Sequence, residues 1–224
     1  LTIDEYHNFL KQYSFRDKAI NGVLAHFKEF KSYCFLSATP IPNNLKPAIF
    51  NDIPEYIADW NTTDEITVYP YHTNKPYMVA AKFIKTYQAK GCLNVNGIES
   101  KEAYFFINSV TEIKAILKQT QLTEDDYRII CADNPKNRRT LEEYTISSSA
   151  DAPKKFNFIT SKSFEGVDFH SETGLCFVVS NVQNRHTLVS IDMDIPQIVG
   201  RIRTKSNPFR NKVVHIFNTK ATDH

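Results

Sequence analysis

The chain has 224 residues, of which 42% are hydrophobic and 23% are charged, and its formal net charge is +2. This length allows one large domain or two smaller ones, and the composition is ordinary for a globular protein. No window approaches the roughly 18 consecutive apolar residues that a membrane span requires. We therefore expect no membrane-spanning segment and a cytoplasmic protein. The mild positive charge allows a nucleic-acid partner without requiring one.

The first part of the chain, residues 1–65, begins with a short strand end, and apolar residues then recur at helical spacing over residues 15–31. The apolar run at residues 33–36 predicts a buried strand that ends in a Ser/Thr/Pro loop. The segment "NLKPAIF" after it predicts a short helix. The join to the second part of the chain is expected at about residues 61–75.

The second part, residues 66–224, alternates between strand-like runs and helical segments. The strand-like runs are "ITVYPYH", "AYFFIN", "YRIICAD", "KFNFITS", "GLCFVVSN" and "KVVHIFNT". One helix is expected in "MVAAKFIKTYQAKG", closing on Gly91, and another in "SVTEIKAILKQT", with Ser109 as its N-cap. This alternation predicts an α/β fold with a parallel sheet that is covered on both faces.

The four cysteines are far apart, and each lies within or beside an apolar run. They are Cys34, Cys92, Cys131 and Cys176. There is no C-x-x-C pair, and the seven histidines show no metal-ligand spacing, so neither a zinc site nor a disulfide framework is indicated. The pattern predicts reduced thiols in the core.

Two adjacent carboxylates, Asp4 and Glu5, follow the first apolar strand in "DEYH". Burying two carboxylates is costly unless a cation compensates, so a magnesium ion is their natural partner. In nucleotide hydrolysis, the first carboxylate can hold the metal and the second can orient the attacking water. The alternative interpretation of this pair is a solvated strand end.

The segment "SATP", residues 37–40, follows the next strand-like run. Small hydroxyl residues are common in any such loop. If both strands belong to one parallel sheet, however, this loop and Asp4-Glu5 open onto the same edge, which is where α/β proteins place ligands.

The segment "ITSKSFEGVDF", residues 159–169, carries a strand that delivers Thr160 and Ser161. In the turn that follows, Gly166 lets the backbone approach a ligand, and Asp168 comes two residues later. The alternative is an ordinary glycine turn between two strands.

The segment "QIVGRIR" places Gln197, Gly200 and Arg201 at helical i, i+3 and i+4 spacing. One helix face can then present an amide and a guanidinium, and an arginine in such a place can stabilise charge on a transferred phosphoryl group. A surface arginine on a C-terminal helix is the alternative.

In chain order, the segments "DEYH", "SATP", "FINSV", "TSKSFEGVD" and "QIVGRIR" resemble motifs II, III, IV, V and VI of the superfamily 2 helicases of the DExH type. The resemblance runs from residue 2 to about residue 205. It implies a P-loop NTPase/helicase fold of two RecA-like domains, with ATP between them and a nucleic-acid strand across both. Residues 1–65 would be the C-terminal remnant of an incomplete first domain, and residues 66–224 would be the second domain.

The resemblance implies roles for residues of the first two motifs. Asp4 would bind Mg²⁺, Glu5 would polarise the attacking water as a catalytic residue, and His7 would touch the second domain. Ser37 and Thr39 would couple the nucleotide state to domain closure.

It also implies roles for residues of the last two motifs. Gly166 and Asp168 would lie at the bound ATP, with Asp168 near the ribose. Gln197 and Arg201 would face the γ-phosphate as catalytic residues. Arg203 would be a candidate second phosphate contact, because the usual second arginine of this motif falls on a threonine here.

The nucleic-acid strand, with DNA favoured over RNA, would be held by small hydroxyl groups and a basic segment. Thr160 would contact a phosphate, and the loop at Ser109 would line the same groove. Arg138 and Arg139 in "NPKNRR" are expected to assist, although a solvated loop is the alternative interpretation of that segment.

No glycine in the chain is followed by lysine, so the G-K-[ST] element that cradles phosphates is absent from the sequence. We expect that P-loop segment to precede Leu1 in a longer protein and this chain to be inactive as an ATPase alone. The leading interpretation is part of an ATP-dependent helicase or translocase. The alternatives are a non-catalytic nucleic-acid-binding module with a helicase-like fold, or a nuclease or annealing factor, which would need a further acidic cluster.

Overall fold

The computed structural model describes residues 1–58, 65–161, 164 and 167–220, with backbone alone at residues 14 and 15. The chain divides into two compact units, Leu1–Thr63 and Asp64–His224. We call them unit 1 and unit 2.

Unit 1 is built on a short parallel pair of strands. Its elements are β1 (Thr2–Ile3), α1 (Asn8–Lys11), α2 (Tyr13–His26) and β2 (Cys34–Phe35), followed by 3₁₀ turns at Asn43–Leu45 and Ala48–Phe50. Buried Tyr6, Ile41 and Phe50 form its small core, against which Phe35 packs. The carboxyl ends of both strands therefore open on one side of this core.

Two sequence predictions in unit 1 are wrong in detail. The helix expected in "NLKPAIF" is two separate 3₁₀ turns, because Pro47 has no N–H donor and holds the preceding Lys46 in an extended conformation. The run at residues 33–36 is not a buried strand: Cys34 is exposed and Leu36 is 46% exposed, since it is the Phe35 face of β2 that packs against the core of unit 1.

Unit 2 contains a six-stranded, all-parallel sheet. Its strands are β3 (Thr67–His72), β6 (Glu102–Phe106), β7 (Tyr127–Ile130), β8 (Phe156–Ile159), β9 (Gly174–Val179) and β10 (Lys212–Phe217). Their order across the sheet is β3-β10-β9-β6-β8-β7. A separate hairpin joins β4 (Leu93–Val95) to β5 (Ile98–Ser100). The predicted α/β class and the parallel sheet are confirmed.

Both faces of this sheet are covered. The helices are α3 (Pro76–Lys90), α4 (Val110–Thr120), α5 (Pro135–Leu141) and α6 (Asp194–Val199). Side chains of α3, α4 and α5 pack with alternate strand residues such as Phe105 and Phe177 in one core cluster. Side chains of α6 pack with residues such as Phe106 and Val178 in a second cluster. Successive side chains of a strand point to opposite faces of the sheet. Because both faces are covered, each strand needs apolar residues at successive positions, which appear in the sequence as continuous apolar runs.

The helix ends follow their capping residues. The Ser109 hydroxyl accepts a hydrogen bond from the Glu112 N–H, which confirms the predicted N-cap, and Gly91 ends α3 in the left-handed conformation with φ of 76°. The segment "NPKNRR" is not a loop: Asn134 caps α5, and Pro135 occupies its first turn.

The strand β3 lies at one end of the sheet, beside β10. The N–H groups of Thr67 and Thr73 donate to the carbonyls of Asn211 and Phe217. Pro70 lies midway between these two hydrogen bonds.

The cysteine prediction holds for two of the four residues. All four thiols are free; Cys131 and Cys176 are buried, whereas Cys92 is half-buried and Cys34 is exposed. Within the described ranges, no helix has the length and apolar character needed to cross a membrane.

Candidate functional site

The backbone of unit 1 turns sharply at Glu5, directly after β1. Glu5 has φ of 52°, the left-handed region that residues other than glycine seldom adopt. The turn is fixed on the next residue, since the Tyr6 N–H donates to the Leu36 carbonyl over 3.0 Å. Such strain persists only where the surroundings impose it, and it concentrates at functional sites.

Four side chains from the two predicted loops of unit 1 meet at this turn, and we call them the Glu5 cluster: Glu5, His7, Ser37 and Thr39. The Nδ1 of His7 lies 2.7 Å from the Ser37 hydroxyl, 3.1 Å from a Glu5 carboxylate oxygen and 3.5 Å from the Thr39 hydroxyl. The Thr39 N–H donates to the Ser37 hydroxyl over 3.0 Å. The His7 side chain is fully buried, so its ring orientation is set by these neighbours.

Asp4 lies beside the cluster but faces outward. Its carboxylate is exposed and accepts a hydrogen bond from the Glu5 N–H over 2.9 Å. Asp4 and Glu5 also line a cavity of about 260 Å³, together with residues of α1 and α2 that include Arg16, where the backbone of α2 departs from helical geometry. The acidic pair therefore borders a concave surface.

The donor atoms of this pair are carboxylate oxygens, which suit Mg²⁺. Among the described residues there is no group of three or more His, Cys, Asp or Glu side chains placed to share an ion. Mg²⁺ at phosphate-processing sites is commonly held by one or two carboxylates plus waters and substrate phosphates, so Asp4 and Glu5 fit that donor set.

In unit 2, the predicted residues around Asp168 and Arg201 are joined through a short backbone pairing. The Phe169 N–H donates to the Arg201 carbonyl over 2.7 Å, and the Arg203 N–H donates to the Phe169 carbonyl over 2.9 Å. Phe169 is buried and packs against Tyr104 with a ring-centroid distance of 5.0 Å. This pairing brings Asp168 beside both arginines.

The side chains of Asp168, Gln197, Arg201 and Arg203 form what we call the Asp168 cluster. The Arg203 Nε donates to Asp168 over 2.8 Å, and the Arg201 Nη1 lies 3.8 Å from the same carboxylate oxygen. Arg203 is thus engaged with Asp168, and its side chain is 46% exposed.

Arg201 is more deeply placed. It is only 8% exposed, and its guanidinium donates to the backbone carbonyl and to the side-chain oxygen of Gln197, each over 2.9 Å. Gln197 and Arg201 therefore meet as their spacing predicts, but α6 ends at Val199, so Arg201 lies beyond the helix. Gly166 falls outside the described residues.

The carboxyl ends of β6 and β8 are adjacent and carry the predicted strand-binding residues. The Thr160 side chain is buried, and its hydroxyl donates to the Ile130 carbonyl over 3.4 Å, while the Ser109 hydroxyl is occupied as an N-cap. Both hydroxyl groups are thus used internally.

Asn108, which the sequence reasoning did not select, stands at the same edge beside Ser161, which was named there without a role. The side-chain oxygen of Asn108 accepts hydrogen bonds from the Ser161 hydroxyl over 2.7 Å and from the Ser161 N–H over 3.2 Å. Their position directly after β6 and β8, in "FINSV" and "ITSKS", was the available signal, since adjacent parallel strands bring such residues together.

The basic segment lies on α5, which follows β7. Arg138 donates two hydrogen bonds to Asp133, over 2.5 and 2.7 Å, and this partner raises the pKa of Arg138. The carboxylate offsets the charge that Arg138 would present to a phosphate. The Arg139 side chain lies on the same short helix.

No protein-family model matches this chain, and no curated protein matches it either. The geometry of the two clusters is therefore the basis on which a function can be proposed.

Proposed function

We propose that this chain is part of an ATP-dependent helicase or translocase that acts on a nucleic-acid strand, DNA in preference to RNA. In this proposal unit 2 is a RecA-like domain and unit 1 belongs to a second one. The parallel sheet and the order of the five motifs support it, as does the meeting of motif residues within each unit.

The observation that carries the proposal is the Glu5 cluster. His7 and Ser37 are 30 residues apart in the sequence, yet their side chains are 2.7 Å apart. A carboxylate, an imidazole and two hydroxyl groups are linked there at a strained turn. An interaction between the hydrolytic loop and its neighbour is what coupling hydrolysis to movement requires.

In the proposed reaction, Glu5 orients the water that attacks the terminal phosphate of ATP. Its carboxylate is half-buried and is held by His7, so the reaction requires little further loss of side-chain entropy from Glu5. Mg²⁺ held by Asp4 would neutralise charge on the phosphate oxygens.

Arg201 supplies the positive charge for the transferring phosphoryl group in this proposal. Its two hydrogen bonds to Gln197 hold the guanidinium in one orientation, and its burial reduces screening by solvent. Asp168 and Arg203 lie beside it and fix its surroundings.

The strand would pass along the carboxyl edge of the unit 2 sheet. There the Asn108 amide, which also donates to the His186 carbonyl, lies beside the exposed Ser161 hydroxyl. Groups of this kind position phosphates without reading bases, so binding should be largely indifferent to sequence.

The proposal implies a longer protein that carries a P-loop segment, and the test is ATP hydrolysis by that protein. Glu5→Gln and Arg201→Ala should each lower turnover on the order of 10³-fold, because each removes a group that acts on the transferring phosphoryl. Glu29→Gln, an exposed carboxylate of unit 1, is the matched control and should hydrolyse ATP normally.

The 224-residue chain alone should show negligible turnover. Normal turnover in Glu5→Gln or Arg201→Ala would remove that residue from its role. Strand binding by the longer form, without any ATP hydrolysis, would instead favour the non-catalytic module.

A further inference from the structure

A cavity of about 300 Å³ opens in unit 2 at the amino ends of β3 and β10. Its lining residues are Glu65, Thr67, Lys205, Asn207, Pro208, Arg210, Asn211 and Lys212. We call it the basic cleft. None of the motif residues lines it, and the carboxyl ends of the strands lie at the opposite edge of the sheet.

The charge of the cleft is positive. Residues 203–212 contain four cationic side chains and no carboxylate, and three of the four cations line the cavity. Against these stand Glu65 in the lining and Glu172 nearby, which accepts a hydrogen bond from the Ser206 hydroxyl. Cations lining one concavity favour an anionic ligand.

The loop that carries the cations is held in place by buried groups. The Asn207 side-chain amide donates to the carbonyls of Ser171 and Gly174 over 2.8 and 3.0 Å, and its oxygen accepts from the Phe209 N–H over 2.7 Å. Asn207 is 4% exposed and Phe209 is fully buried. The backbone of the loop is therefore ordered before any ligand arrives, which lowers the entropy cost of binding.

One cation is also oriented by an aromatic ring. The Lys212 ammonium lies 5.9 Å from the centre of the Phe209 ring, and its side chain is half-buried at the start of β10. Lys205 is exposed on the other side of the Asn207 turn. The two ammonium groups thus extend from either end of one rigid loop.

We propose that the basic cleft binds a phosphate group. A tetrahedral oxyanion can accept several charge-assisted hydrogen bonds, and lysine and arginine are the side chains that donate them. The phosphate can belong to a small molecule or to the backbone of a nucleic-acid strand. This site goes beyond the proposed function and does not depend on ATP hydrolysis.

The experiment is a titration of the ¹⁵N-labelled 224-residue chain, followed by its amide resonances. Sodium phosphate is compared with sodium chloride at equal ionic strength, and a single-stranded oligonucleotide is titrated separately. Phosphate should shift the amide resonances of residues 205–207 and 209–212 in a saturable way. The double variant Lys205→Gln/Lys212→Gln should weaken this binding at least about tenfold, because two charged donors are lost.

The matched control is Lys82→Gln/Lys85→Gln, which removes two charges from exposed positions of α3 and should bind phosphate as the wild type does. Unchanged melting temperatures establish that both variants are folded. If the oligonucleotide shifts the amide resonances of the cleft in a saturable way and phosphate does not, the bound phosphate belongs to a nucleic-acid strand. If both shift these resonances, the cleft also binds the phosphate of small molecules. The proposal is overturned if phosphate and chloride shift these resonances equally and the oligonucleotide has no effect. It is also overturned if the two double variants bind equally well.

Discussion

At the scale of single residues, Glu5 shows a conflict between local conformation and chemistry. The left-handed backbone costs a residue with a Cβ about 1 to 2 kcal/mol, and glycine avoids this cost. The chain nevertheless places a glutamate there, within reach of His7. Strain of this kind at a residue other than glycine is the observation that motivates the functional hypothesis for Glu5.

This conflict predicts a difference between two variants that both lack the carboxylate. Glu5→Gly should be more stable to urea than Glu5→Ala by about 1 kcal/mol, because only alanine retains the backbone strain. Urea unfolding followed by circular dichroism measures the difference. Equal stabilities would mean that the Glu5 turn relaxes in the absence of its carboxylate.

The cysteines provide a second residue-scale prediction. Iodoacetamide under native conditions should modify Cys34 first, because it is exposed. Cys176 should remain unmodified, since burial raises its pKa to about 12 and the thiolate is the reacting form. Mass spectrometry of peptides over a time course measures both rates, and all four thiols should react readily in denaturant. Equal native rates for Cys34 and Cys176 would contradict the burial of Cys176.

At the scale of elements, the strands of unit 2 were predictable because strands buried on both faces are continuous apolar runs. The short β4–β5 hairpin was not predicted, since its strands have only three residues each and too few alternations to recognise. The α5 helix was missed because "PKNRRTL" has almost no apolar face, and its start depends on the Asn134 cap.

The candidate site was likewise predictable from the sequence only in part. The sequence indicated that Gln197 and Arg201 meet, because four residues separate them locally. The engagement of Arg203 with Asp168 depends on the pairing of Phe169 with residues 201–203, and that tertiary contact has no local sequence signal. Motif spacing alone could not assign the second arginine for this reason.

The contact between β9 and β10 predicts a pH dependence of stability. The Ser180 hydroxyl lies 3.1 Å from the Nε2 of His215, and burial lowers the pKa of His215 below its ordinary value of 6.5. The unfolded chain therefore takes up this proton at a higher pH than the folded chain. The free energy of unfolding should be retained above about pH 6.5 and should fall as the pH drops through the folded pKa.

In urea unfolding over a pH series, the free energy of unfolding should fall less at acid pH for His215→Gln than for the wild type. His26→Gln is the control, because the ring of His26 is 65% exposed in unit 1. If His215→Gln and His26→Gln give the same profile as the wild type, protonation of His215 does not contribute.

At the scale of the whole molecule, the two units differ in how much apolar surface each buries. Unit 2 has core clusters on both faces of its sheet, whereas the core of unit 1 consists of a few side chains around Tyr6 and Phe50. A unit of about 60 residues with a small core is marginally stable on its own.

We accordingly expect a chain of residues 64–224 to fold alone and to unfold in one cooperative urea transition. A chain of residues 1–63 should show a broad transition or none. Far-ultraviolet circular dichroism of both chains provides the measurement. A non-cooperative transition for residues 64–224 would show that unit 2 depends on unit 1 for its fold.

The hydrogen bonds of β3 have a consequence for self-association. Since the N–H groups of residues 67 and 73 point to β10, strand alternation directs those of residues 68 and 72 outward, and Pro70 between them has no N–H to offer. A strand of a second chain that paired with the outer edge of β3 would therefore lack a hydrogen-bond donor at the centre of the pairing. Pro70 thus protects an exposed, aromatic-rich strand from acting as a template for aggregation.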